Sequence, residues 1–172
     1  NLSMSALAET NRLITSLSTM IMIEKVQGKD PFWNNSAKNL LEGLIGFFLE
    51  EYKSGNIRRD QITMTSIRKF QNSSMEEKNL KNFKKYIERK EYGSKSKDSL
   101  TSILSASDNT FKSITAVFGE KMALFDDINV ANVTSSNSFD FDILGKEPTA
   151  LYVIVPDEDK TYYTLAVSYT HL

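Results

Sequence analysis

The chain has 172 residues, 40% of them hydrophobic and 25% charged, with a formal net charge of -1. That is material for one domain, or one domain and part of another, with enough apolar side chain to build a core. It contains no cysteine and one histidine, His171, which excludes disulfides, thiolate metal sites, a multi-histidine site and an internal Ser-His-Asp triad. No apolar stretch reaches the roughly 18 residues of a membrane span. The apolar residues 20–23 are too short for a signal-peptide core and lack a basic lead-in, so the chain reads as soluble and intracellular.

Taken in order, residues 5–24 have helical spacing, with Leu7, Leu13, Ile14, Leu17, Met20 and Ile21 recurring. Gly28 breaks the pattern. Asp30 is placed to cap the next helix and Pro31 suits its first position. Phe32 and Trp33 read as core packing at this start, and Ala37, Leu40, Leu41, Leu44, Ile45, Phe48 and Tyr52 continue the face. Phe47 and Leu49 widen the stripe, which marks this helix as the most buried. Gly43 and Gly46 cost it stability, and two readings stay open: they let a neighbour pack closely, or they are a tolerated weakness. Met20, Met22 and Met64 read as apolar gap-fillers.

A polar connection, residues 53–60 with Gly55, leads to a short helix over 65–71, with Ile67 and Phe70 facing inward. Ser74-Met75-Glu76-Glu77 reads as a capping box opening a charged helix to about Glu91. Its apolar face is narrow: Leu80, Phe83 and Ile87. After a break at residues 92–97, one helix is expected from Asp98 or Ser99 to about Phe125, along Leu100, Ile103, Leu104, Phe111, Ile114, Val117 and Phe118. Residues 126–142 are rich in Asn, Ser and Asp and are expected to be mostly loop, with room for one short strand. Residues 149–155 (TALYVIV), between Pro148 and Pro156, read as a strand buried on both faces, with a helix starting at Thr161. Such a strand needs paired edges, and the preceding residues supply helices. The fold class is therefore mainly α: a bundle-like all-α domain (1–125), a polar connection (126–148), and a strand–helix fragment of an α/β domain (149–166).

The near-zero net charge conceals an asymmetry. Residues 1–52 carry -2, residues 53–97 carry +8 and residues 98–172 carry -7. A positive middle segment attracts anionic partners unless the fold neutralises it internally. Its densest stretch is Lys78, Lys81, Lys84, Lys85 and Arg89, the candidate contact with DNA phosphates or another partner, with Phe83 and Tyr86 interleaved as candidate base-stacking aromatics. Asp157, Glu158 and Asp159 follow the expected strand, where carboxylates can hold a divalent metal; the preferred reading is the capped start of a helix. No GxxxxGK[ST] phosphate loop occurs, so this chain cannot by itself build a P-loop nucleotide site; no catalytic, cofactor-binding or metal-ligating residue is assigned.

Two stretches resemble one known family. Residues 28–33 (GKDPFW), followed by Ala37, Leu40 and Leu41, are one. Residues 139–142 (FDFD), 148–157 (PTALYVIVPD) and 161–163 (TYY) are the other. Both resemble the TraG/TraD family of type IV secretion coupling proteins, the conjugative DNA-transfer ATPases, over about residues 1–166. The resemblance implies an all-α insertion in a RecA-like motor, with the late strand returning the chain to that motor. It implies a hexameric ATPase using ATP and Mg at the cytoplasmic side of a bacterial inner membrane, with relaxase-bound DNA or effector proteins as cargo. The nucleotide motifs and the membrane anchor of that family lie outside this segment. The segment itself is thus expected to be a non-enzymatic, cofactor-free substrate-recognition domain. A helical adaptor that docks a relaxase without touching DNA is the alternative, and a metal-dependent enzyme at Asp157, Glu158 and Asp159 is the remotest. Residues 167–172 (VSYTHL) resemble a translated sequencing-adapter tail and read as non-native, which leaves His171 without a role.

Overall fold

A computed structural model describes residues 4–22 and 31–136, together with Lys146, Pro148, Ala150 and Tyr152. Among these residues the regular secondary structure is helical: α1 (Met4–Met22), α2 (Pro31–Lys53), α3 (Met64–Ser74), α4 (Glu77–Glu88), α5 (Lys95–Leu104), α6 (Asp108–Met122) and α7 (Ile128–Ser135). Single 3-10 turns at Arg59–Gln61 and Ala123–Asp126 join them. The expected cap at Asp30, the strand over 149–155, the acidic cluster at Asp157, Glu158 and Asp159, the later helix start and the 167–172 tail lie outside the described residues, apart from Ala150 and Tyr152.

The architecture is organised around α2. From Leu41 to Phe48 every residue is buried, whichever way it points, so this helix is enclosed on all sides. α5 packs along it most extensively, with α1 and α6 next. The reason for the close α5 approach lies in Gly43 and Gly46. A Cβ at Gly43 would fall 2.6 Å from Leu100 Cδ2, and one at Gly46 would fall 3.0 Å from the Lys95 stem. The two glycines thus form a flat seat for α5. α2 ends in a Schellman motif: Gly55 (φ 77) donates to Tyr52 O at 3.0 Å and Asn56 donates to Glu51 O at 2.9 Å.

Several expectations need correction. The capping box does not form: Ser74 is the buried last residue of α3, and its hydroxyl donates back to Gln71 O, as hydroxyls at helix ends do. Glu76 is the N-cap of α4 and its side chain makes no capping bond. The stretch after residue 94 is two helices, not one. Ser94 caps α5, accepting from Lys97 N, and Ser107 caps α6, accepting from Thr110 N. The break at 105–107 keeps the seven-residue spacing from Leu104 to Phe111, so apolar periodicity runs through it unchanged. Residues 128–135 are helical, not loop, because the Asp127 carboxylate accepts from both Asn129 N (2.8 Å) and Val130 N (3.0 Å) while Val130 anchors the turn in the core. On α1 the buried stripe is Ile14, Ser18 and Met22, whereas Leu7 and Leu13 are half-exposed. Phe32 is also half-exposed, set edge-on against Trp33 at 5.0 Å, and Trp33 alone of the pair packs against the core.

Candidate nucleic-acid interface

α4 has two unlike faces because its sequence alternates anchors and cations at helical spacing. Phe83 and Ile87 are buried. The Phe83 ring meets Phe47 edge-on at 5.5 Å and Phe70 at 5.4 Å, which fixes the rotation of the helix against α2 and α3.

The next face of α4 and the turn beyond it carry a network that takes up the acids of α2. Lys90 Nζ lies 2.5 Å from Glu51 Oε1 and 3.3 Å from Glu50 Oε2. Glu51 also accepts from Tyr86 Oη at 2.9 Å and from Asn56 Nδ2 at 2.7 Å. Glu50 accepts from the Ser96 backbone N–H at 3.1 Å and from its hydroxyl. Glu42 is held by Lys95 at 2.6 Å and Lys38 at 3.3 Å. Burial by itself would push the Glu51 carboxyl up, but the hydrogen bonds from Lys90, Asn56 and Tyr86 and the Lys90 charge outweigh it and hold it below the ordinary carboxylate value. The Glu42 carboxyl is lowered in the same way, its burial outweighed by Lys95 and Lys38. Burial also works against the Lys90 ammonium, and Glu51 and Glu50 outweigh that too, so its pKa is raised.

What remains outward is a ridge. Lys81, Lys85 and Arg89 recur at four-residue spacing, are exposed, and have no carboxylate within 4.0 Å among the described residues. Lys78 extends the ridge by one turn; it is paired with Glu76 at 3.0 Å, but both side chains are solvated and the pair is weak. From Lys78 to Arg89 the ridge runs about 16 Å at helical rise. Lys84, the fifth candidate, departs from it: its stem is half-buried and its ammonium stands 5.8 Å from the centre of the Phe111 ring on α6. The interleaved aromatics do not join the ridge either. Phe83 is in the core, and Tyr86 is engaged through its hydroxyl by Glu51 and across its ring by Lys90 at 5.2 Å.

The sequence reading did not foresee that Glu42, Glu50 and Glu51 would absorb Lys90 and Lys95. The signal was available: three carboxylates on the helix whose stripe marks it as the most buried require cations to face them. Among the described residues no three His, Cys, Asp or Glu side chains converge as metal ligands, and no helix is long and apolar enough to cross a membrane.

The sequence model of the family described as Type IV secretory system Conjugative DNA transfer matches residues 7–168. Neither a curated protein nor a solved structure matches the chain. The match takes in every helix from α2 to α7 and most of α1. The chain therefore belongs to the type IV secretory system conjugative DNA transfer family.

Proposed function

We propose that this helical region is the cargo-recognition part of a conjugative coupling protein, and that it contacts transferred DNA through the α4 ridge. The observation that carries the proposal is the separation of charge around α4. The acids of α2 are matched by Lys90 and Lys95, whereas Lys81, Lys85 and Arg89 face solvent without an anionic partner among the described residues. A row of uncompensated cations on one helix face attracts phosphates and releases their counterions. In this proposal the region performs no catalysis. Energy comes from ATP and Mg at motor domains of the full protein, a homo-hexamer at the cytoplasmic side of the bacterial inner membrane. The test is fluorescence anisotropy of a labelled single-stranded oligonucleotide with wild-type chain and the triple variant Lys81→Gln, Lys85→Gln, Arg89→Gln, with far-UV circular dichroism to confirm that both fold. Clear loss of affinity in the variant is expected; equal affinity would overturn the proposal.

A second reading, docking of a relaxase or effector without DNA contact, draws on half-exposed Leu7 and Leu13 of α1. Under it, capture of the partner protein is insensitive to nuclease and to the ridge substitutions.

A further inference from the structure

The ridge ends at Arg89, the residue that closes α4. Three residues on stands Tyr92, 96% exposed, the most exposed large hydrophobic side chain among the described residues. Its position is fixed by the surrounding backbone. Residues 91–94 form a β-turn closed by Ser94 N–H donating to Glu91 O at 3.3 Å, and Gly93 (φ 81) supplies the positive φ that a type II turn requires at its third position. Ser94 then caps α5. Lys97 ties this turn to the end of α4, donating from Nζ to the carbonyls of Glu88 (2.9 Å) and Lys90 (2.8 Å). The same ammonium stands 4.8 Å from the centre of the Tyr92 ring. One cation therefore joins the terminal carbonyls of α4 to the ring and steadies the tyrosine at the end of the ridge.

An aromatic ring held in water from a pinned turn, at the end of a helix that carries a row of exposed cations, is an arrangement by which unpaired bases are bound. The cations track the backbone and the ring stacks on a base, with little ordering required on binding. Phe83 and Tyr86, the aromatics of α4 itself, are otherwise engaged, and Tyr92 is the exposed aromatic that follows the ridge in the described chain. We infer that Tyr92 is a base-stacking residue, and that the α4 ridge with this ring selects single-stranded nucleic acid over duplex, whose bases are already stacked on one another. The inference rests on the proposed DNA contact and adds to it a residue and a strand preference.

The test compares wild type, Tyr92→Ala, Tyr92→Phe and the triple ridge variant on three probes: oligothymidylate, an abasic sugar-phosphate strand of the same length, and duplex DNA. Tyr92→Ala is expected to weaken oligothymidylate binding about fivefold or more, the loss of one stacked base. It should leave abasic and duplex binding unchanged, and Tyr92→Phe should restore the wild-type value. Tyr92→Ala binding oligothymidylate as wild type does, while the ridge variant loses affinity, would overturn the stacking role and spare the ridge. Equal loss on all three probes would make Tyr92 a structural residue and also overturn it. If the ridge variant and wild type are indistinguishable throughout, the DNA contact falls and the stacking role falls with it.

Discussion

Gly43→Ala sets two well-calibrated effects against each other. An alanine in mid-helix is favoured over glycine by about 1 kcal/mol, so at an open position the substitution would stabilise the chain. Here the new methyl would overlap the Leu100 side chain, with Cδ2 only 2.6 Å away, and Leu100 is fully buried with no free direction of retreat. Overpacking of this kind costs roughly 1–3 kcal/mol, so steric repulsion wins and the net loss is expected to be about 1 kcal/mol. Urea denaturation monitored by circular dichroism reads this as a lower midpoint at unchanged slope. Leu100→Ala sharpens the test. Alone it should cost about 2–5 kcal/mol through the cavity it leaves, but in the Gly43→Ala background the added methyl fills part of that cavity. The two changes should therefore couple favourably by about 1 kcal/mol or more. A gain in stability from Gly43→Ala alone would show that α5 does not sit against the glycine seat.

Glu51→Gln should cost roughly 1–3 kcal/mol near neutral pH, less than the loss of a fully buried ion pair because Lys90 retains Glu50 at 3.3 Å. The pH dependence follows from the direction of the shift. With its folded pKa held below the reference value of 4.5, Glu51 contributes stability that is present above that value and lost as the pH falls through the folded pKa. Glu42 acts in the same sense. Wild-type stability measured by urea titration should therefore drop as the pH falls below about 5, and the variant should show a shallower drop; identical slopes would count against the network. Ser18→Ala should stabilise the chain by about 1 kcal/mol, because the wholly buried Ser18 hydroxyl has no hydrogen-bond partner among the described residues and alanine also favours the helix. A thermal melt showing a clear loss would mean that the hydroxyl is bonded after all.

Much of the helical body was legible because its apolar residues recur at unmistakable spacing. α2 is the clearest case: Pro31 and the wide stripe indicated its start and its burial, and both are present, while of the two readings open for Gly43 and Gly46 the structure shows the close packing of a neighbour. The divisions between helices were harder to see. The α5–α6 break conserves apolar phase, so only the Ser107 cap separates the two, and a serine in a serine-rich stretch carries little signal alone. The same ambiguity placed a capping box at Ser74, where the buried face of α3 runs one turn longer. α7 was hidden by composition, since Asn and Ser are poor helix formers and a single carboxylate at Asp127 starts the helix. As for the candidate interface, the run of lysines was visible, but its division was not. Which cations point inward depends on the rotation of α4, and that is set by Phe83 wedged between Phe47 and Phe70, contacts distant in sequence.

The salt dependence of DNA binding bears most directly on the role assigned to α4. With about four cations of the ridge meeting phosphates of a single strand, the logarithm of the affinity should fall against the logarithm of salt concentration with a slope of about 3. Replacing Lys81, Lys85 and Arg89 by glutamine should reduce that slope by about 2. A variant that keeps the wild-type affinity and the wild-type slope would contradict the account.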